Sequence, residues 1–194
     1  MNNKFKCLLL LDVKALHVTT TKDNVNSLLM HSELKFHVCD FRILYINTFN
    51  LTNYDLIITH WSVDIHKKYN QKILKKIKQF NGLKVIFRQD EHKNVRKIEK
   101  FVLDLRFDIF FSCIPKNVIK KIYSKKFLKH LKVKSILTSY IPEYFKFLKK
   151  QPYEKRPYLI GYRGRNLPFY LGSMGQDKKL IGDLFKNKIS NNYN

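Results

Sequence analysis

Residues that can carry acid–base or phosphate chemistry follow several short apolar segments of this 194-residue sequence. Such segments predict buried strands, and the ligands of open α/β sheets bind beyond the carboxyl ends of the strands. Residues at those ends are therefore the first candidates for a functional site. In chain order they are Asp12, His60, Ser62, Gln89, Asp90, Glu91, Arg163, Gly164 and Arg165.

Asp90 and Glu91 bring two carboxylates together, with His92 beside them. A carboxylate at a strand end can accept a proton from the hydroxyl group of an acceptor molecule. The alternative is that one of them caps the next helix and pairs with Arg88 or Lys93. Position in the sequence leaves both interpretations open.

His60 directly follows the apolar segment 56–59. A strand-end imidazole can orient or deprotonate a substrate. It can equally hydrogen-bond a neighbouring carbonyl group and fill space beside Trp61. The sequence favours this second, structural interpretation. Asp12 is a weaker candidate, because a phosphoacceptor pocket would need a second acid beside it.

Arg163, Gly164 and Arg165 form a triplet that suits an anionic ligand. Glycine after a strand lets backbone N–H groups approach a phosphate, and the flanking guanidinium groups can neutralise a diphosphate. The same triplet is also common in turns, so by itself it indicates a phosphate site only weakly.

The elements that must position these residues alternate between two patterns. Nearly continuous apolar segments predict parallel strands buried on both faces, at 7–11, 41–46, 56–59, 83–87, 109–112 and 135–138. Segments of helical period lie between them, at 73–80, 95–105 and 118–123. Alternation of this kind predicts an α/β domain with a doubly wound, mostly parallel Rossmann-like sheet.

A domain boundary is indicated by the basic segment 147–155, which contains Pro152 and is followed by Pro157. A further strand is predicted at 158–162, followed by a helix with an apolar face around 180–185. We therefore expect a first domain at 1–150 and a truncated second α/β unit at 151–194. One strand and one helix cannot bury their own apolar face, so a separate chain is expected to complete the unit, or the unit docks on the first domain.

The charge is strongly positive, with 38 Lys and Arg against 15 Asp and Glu and a net charge of +23. Such a balance is typical of proteins with an anionic partner. Only seven of these residues are Arg, however, and the lysines accompany abundant Asn, Ile, Phe and Tyr, which share A/T-rich codons. Codon bias is thus the favoured explanation, and nucleic acid is not the expected partner.

Cellular location is constrained by the three cysteines and by the lengths of the apolar segments. The cysteines show no pairing or metal-ligand spacing, which favours reduced thiols in a cytoplasmic protein. The apolar segment 7–11 is too short for a signal peptide, and no segment approaches the ~20 apolar residues that cross a bilayer. Any contact with the inner face of the membrane would therefore be peripheral.

Three sequence blocks together resemble bacterial glycosyltransferases of the GT-B fold, in the group-1-like branch associated with polysaccharides or the spore coat. The blocks are YDLIITHWS at 54–62, GLKVIFRQDE at 82–91 and IGYRGRNLP at 160–168, with Leu171, Gly172, Gly175, Gln176 and Lys178 beyond the third. The third block is the most specific. The resemblance spans roughly residues 36–185.

The resemblance implies an enzyme of polysaccharide biosynthesis that transfers a sugar from a nucleotide-sugar donor to a glycan, lipid-linked or protein acceptor, without a metal or other cofactor. Residues 1–150 would be the GT-B N-terminal, acceptor-side domain. Asp90, Glu91 and His60 would then be catalytic candidates, and Ser62 and Gln89 would contact the acceptor. The triplet 163–165 would stabilise the departing nucleoside diphosphate.

The resemblance is incomplete, because most of a donor-binding domain is missing. The sequence therefore predicts a fragment, a frameshifted product or half of a split enzyme. Two alternatives stay open. One is a basic module that binds nucleic acid or an anionic membrane through Lys72–Lys78 and Lys120–Lys134. The other is a folded remnant without catalytic activity.

Overall fold

The computed structural model describes residues 5–91, 94–137, 140–158 and 160–189. The chain forms two compact units, residues 1–145 and residues 146–194.

The first unit is built on one sheet of six strands, all paired in parallel. Its strands are β1 (Lys6–Leu11), β2 (Lys35–Asp40), β3 (Leu56–Thr59), β4 (Leu83–Arg88), β5 (Ile109–Ser112) and β6 (Lys132–Ser135). Their spatial order is β2-β1-β3-β4-β5-β6, which extends the doubly wound order 2-1-3-4-5 by one strand. The chain thus reverses its direction across the sheet between β1 and β3.

Helices connect the strands and cover both faces of the sheet. They are α1 (Thr19–His31), α2 (Gln71–Gln79), α3 (Val95–Asp104), α4 (Lys116–Ile122) and α5 (Lys125–His130). Helices α2 to α5 pack in one core with Leu8, Ile57, Ile86 and Phe110. Helix α1 packs on the other face, where Val25 lies in a second core with Leu9, Ile58 and Phe87. The predicted fold class, α/β with a doubly wound parallel sheet, is confirmed.

The interior strands lie where the apolar segments predict them, but both edge strands were predicted wrongly. Segment 41–46 was expected to be a strand, whereas Phe41–Tyr45 is a 3₁₀ helix that the Asp40 carboxylate caps by accepting the N–H of Arg42. The strand is Lys35–Asp40 instead. Likewise β6 is Lys132–Ser135 rather than 135–138, although Thr138 lies outside the described residues. Edge strands are half-exposed and alternate polar with apolar residues, so a search for continuous apolar segments misses them.

The second unit contains the expected helix, α6 (Ser173–Leu184), but the strand expected at 158–162 is wrong for its described residues. Tyr158 and residues 160–162 make no strand pairing and are exposed, while Leu159 lies outside the described residues. An isolated strand without a partner leaves its backbone groups to water, so the apolar sequence alone does not form one.

Candidate functional site

The reversal between β1 and β3 brings together three of the predicted residues. The backbone N–H of Asp12, just after β1, donates to Oγ of Ser62 at 3.0 Å. The Ser62 hydroxyl lies 2.9 Å from Nδ1 of His60, and the Ser62 N–H donates to the same nitrogen at 3.1 Å. The carboxyl ends of β1 and β3 are therefore joined by side chains at the position where doubly wound sheets bind ligands.

His60 is a fully buried, neutral imidazole. Burial, with a smaller contribution from the charge of Arg88, lowers the pKa of His60 to about 4. Since Nδ1 accepts the Ser62 N–H, the single ring proton lies on Nε2, which has no hydrogen-bond partner among the described residues. The ring centroid lies 4.1 Å from that of Trp61. These contacts suit a positioning role better than that of a base.

Two further polar residues, Asp40 at the end of β2 and Arg42 just after it, lie at the carboxyl ends of the strands. The sequence did not predict either of them as a site residue. Arg42 binds Asp40 through Nε and Nη2 at 2.5 and 2.6 Å, and its Nη2 lies 3.5 Å from Oδ1 of Asp12. The hydrogen bond from Arg42 is the main reason that the pKa of Asp40 is lowered to about 2. Asp40 was not predicted as a site residue because the strand was predicted at 41–46 instead of Lys35–Asp40.

Arg88 and Glu91, which flank the end of β4, are both buried. Nη1 of Arg88 donates to the carbonyl oxygen of Val63 at 3.1 Å, and its Nε has no partner among the described residues. Burial lowers the pKa of Arg88, and the carboxylate of Glu91 opposes this effect. The loop between the two residues is therefore anchored at each end by a buried ionisable group.

Glu91 is fully engaged by the protein itself. Its carboxylate accepts hydrogen bonds from the Ser112 hydroxyl at 2.9 and 3.0 Å, from the Cys113 N–H at 2.6 Å and from the Tyr123 hydroxyl. Burial raises the pKa of Glu91, and these hydrogen bonds oppose the shift. All of these donors belong to the protein, so Glu91 has a structural role. It connects its loop to β5 and to Tyr123, the residue after α4.

Asp90 differs from its neighbour in exposure and in backbone conformation. It is exposed, and its φ of 52° lies in the left-handed region, which aspartate tolerates better than most residues. Gln89 beside it is half-buried. His92, which the sequence placed in the same cluster, lies outside the described residues. Among the clustered carboxylates, that of Asp90 is thus the one open to solvent.

The triplet Arg163, Gly164 and Arg165 belongs to the second unit, and all three residues are exposed. It follows an unpaired segment rather than a strand, and α6 begins eight residues after it. A Cβ on Gly164 would lie 2.5 Å from the hydroxyl oxygen of Tyr162, so a larger residue would displace that ring.

Two large cavities of the first unit lie away from the polar residues at the carboxyl ends of the strands. One, of about 630 Å³, is lined by Asn50, Tyr54 and Gly82 at the amino ends of β3 and β4. The other, of about 530 Å³, lies between α3 and α5.

Comparisons with protein-family models, with curated proteins and with solved structures found no match to the chain. In the part of the chain that the structure describes, no helix combines the length and the apolar character needed to cross a membrane. The resemblance to glycosyltransferases therefore rests on the three sequence blocks at 54–62, 82–91 and 160–168.

Proposed function

We propose that this chain is a component of a glycosyltransferase, consisting of an acceptor-side α/β domain and part of a donor-side unit. The observation that carries the proposal is the group of polar residues at the carboxyl ends of the strands. There Asp12, His60 and Ser62 meet at the reversal point, and Asp90 is exposed after the adjacent strand β4. A sugar acceptor is a polyhydroxyl molecule, and an edge of serine, amide and carboxylate groups suits its recognition.

Asp90 is the proposed general base. A base must reach the hydroxyl group that attacks the sugar, and its carboxylate is exposed on a loop whose two ends are buried. Glu91, the other carboxylate candidate, is shielded by Ser112, Cys113 and Tyr123. We therefore assign Glu91 a positioning role, because it holds the loop that presents Asp90.

Ser62 and Gln89 are the proposed acceptor contacts, and His60 positions Ser62. Hydrogen bonds to Nδ1 of His60 and from the N–H of Asp12 fix the Ser62 hydroxyl group. A fixed hydroxyl recognises a sugar at a smaller entropic cost than a freely rotating one.

Arg163 and Arg165 are the proposed contacts of the nucleoside diphosphate. Both arginine residues and Gly164 between them are exposed, so the two guanidinium groups can reach a phosphate. Positive charge at that position would stabilise the negative charge that develops on the leaving group.

The test is calorimetric titration of the full chain with UDP and with GDP. We expect one of them to bind, and Arg163→Ala/Arg165→Ala to weaken that binding at least about tenfold, or ~1.4 kcal/mol. The control is Lys149→Ala/Lys150→Ala, which removes two exposed cations from the same unit and should leave the affinity within about twofold. Failure of both diphosphates to bind, or equal losses in the two variants, would contradict the proposed donor site.

A further inference from the structure

The positive charge of the first unit is concentrated on one face of the sheet. Helices α2 to α5, here called the basic layer, contain thirteen Lys and Arg against two Asp and Glu. The remainder of residues 1–145 holds fourteen against ten. Helix α1, which covers the opposite face, has one lysine and one aspartate. Codon bias alone would enrich both faces with lysine, so it does not explain this asymmetry.

The cations of the basic layer point into solvent. Twelve of the thirteen are exposed, since the apolar residues of the same helices face the sheet. The half-buried one is Lys76, whose Nζ donates to the carbonyl oxygens of Ile46 and Phe49. The two acids are occupied: Glu99 accepts the Ser124 N–H at 2.6 Å, and Asp104 pairs with Lys100 at 2.8 Å. Little internal neutralisation therefore remains for the other cations.

A groove lies within the basic layer. It is the cavity of about 530 Å³ between α3 and α5, and its walls include three cations, Arg96, Lys100 and Lys126, together with His130 and the two acids Glu99 and Asp104. The side chains of Arg96 and Lys126 form no hydrogen bond or ion pair with any described part of the chain. Arg96 and Lys126 are therefore the cations of this concave surface that are available to the phosphates of a polyanion.

We infer that the basic layer binds the phosphate backbone of double-stranded nucleic acid, without reading its sequence. Lysine neutralises phosphates as a point charge, whereas bidentate base recognition needs arginine, and Arg96 is the one arginine of the layer. The inference is independent of the proposed glycosyl transfer, whose residues lie after the carboxyl ends of the strands and in the second unit.

The layer fits a duplex better than a single strand or a membrane. Among the large hydrophobic side chains of these four fully described helices, Ile122 alone is exposed, at 37%. Single-stranded nucleic acid is held largely by bases that stack on aromatic side chains, and the layer exposes none. Peripheral helices that bind membranes bury an apolar face at the lipid boundary, which these helices direct into the core instead.

The test measures fluorescence anisotropy of a short labelled DNA duplex of arbitrary sequence, titrated with the full chain between about 50 and 200 mM salt. The layer variant is Arg96→Gln/Lys126→Gln/Lys129→Gln. The control, Lys14→Gln/Lys22→Gln/Lys35→Gln, removes the same charge from outside the layer. Thermal unfolding of both variants checks that these exposed substitutions leave the fold intact.

We expect the layer variant to bind the duplex about tenfold or more weakly, with a log–log salt slope reduced by about 0.9 for each phosphate that the variant no longer neutralises. The control should remain within about twofold of the unaltered chain. Equal losses in both variants, or no binding of the unaltered chain at about 150 mM salt, would overturn the inference. So would binding to phosphatidylserine vesicles, but not to phosphatidylcholine vesicles or the duplex, since the layer would then be a membrane contact.

Discussion

The hydroxyl group of Ser62 donates to Nδ1 of His60 at 2.9 Å, and the imidazole that accepts it is fully buried. The N–H of Ser62 donates to the same nitrogen at 3.1 Å, which fixes the ring proton on Nε2. The Ser62 hydroxyl group therefore donates its own hydrogen to Nδ1. The N–H of Asp12 holds the Ser62 oxygen from the neighbouring strand end. Two strand ends are thus linked through one hydroxyl group at the place where the sheet reverses its strand order.

His60 should stay neutral through the physiological range of pH. Burial lowers its pKa to about 4, so the folded state resists protonation, and the protein should lose stability as the pH falls from about 6.5 towards 4. NMR of ¹⁵N-labelled imidazole should show Nδ1 unprotonated and Nε2 protonated at pH 7, with no titration above pH 5. His60→Gln identifies the resonance. A ring that titrates near pH 6.5 would contradict the buried geometry.

Asp90 and Glu91 should differ sharply in their contribution to stability. Glu91→Gln places an amide NH₂ group against the donors of Ser112, Cys113 and Tyr123, and it should lower the free energy of unfolding by about 3 kcal/mol. Asp90→Asn at the exposed neighbouring position should change it by less than about 0.5 kcal/mol. Urea denaturation measures both. Similar effects of the two substitutions would refute the assignment of Glu91 as the buried anchor.

Asp40 should contribute stability that disappears in acid. Its hydrogen bond with Arg42 lowers its pKa to about 2, so the contribution is present above the unfolded pKa near 4 and is lost as the pH falls towards 2. The pair is partly exposed to solvent, which reduces the contribution to on the order of 1 kcal/mol. The difference in unfolding free energy between the unaltered chain and Asp40→Asn should shrink from pH 5 to pH 2. Asp23→Asn in α1 is the matched control for the loss of one carboxylate.

Phe127 should be essential to the core beneath α5. It is fully buried, and its ring lies 4.7 Å from that of Tyr123 and 5.3 Å from that of Phe110. Phe127→Ala should cost about 3–5 kcal/mol, since it removes a large side chain and leaves a cavity. Phe147→Ala changes a ring that is 82% exposed and should be nearly neutral by the same denaturation measurement. A small effect at Phe127 would mean that α5 packs differently.

The sequence predicted the interior strands of the sheet because their residues are both apolar and buried. Leu56–Thr59 and Ile109–Ser112 are strands at their predicted bounds, and each is covered by helices on at least one face. The edge strands Lys35–Asp40 and Lys132–Ser135 were misplaced, since a half-exposed strand carries no continuous apolar signal. Helix α1 was missed for a related reason: it buries only Thr21 and Val25.

The structure brings together candidate residues that follow correctly predicted strands. His60 and Ser62 follow β3, and Asp12 follows β1, so strand order was enough to bring them together. Asp40 and Arg42 were overlooked because they end a misplaced strand. Asp90 and Glu91 are adjacent in the sequence, so their positions did not predict which carboxylate is exposed to solvent. The conformation of the loop decides this.

The sequence by itself determined the α/β class, the interior strands and the excess of lysine, because these follow from composition and from the periodicity of apolar residues. Tertiary structure alone decided that Glu91 is buried while Asp90 is exposed, and that α2 to α5 share one face of the sheet. The physical reason is that burial and charge density depend on which distant segments pack together. In a parallel sheet the strand order decides which segments pack together. Strand order depends on contacts between distant segments and is not encoded by the local sequence.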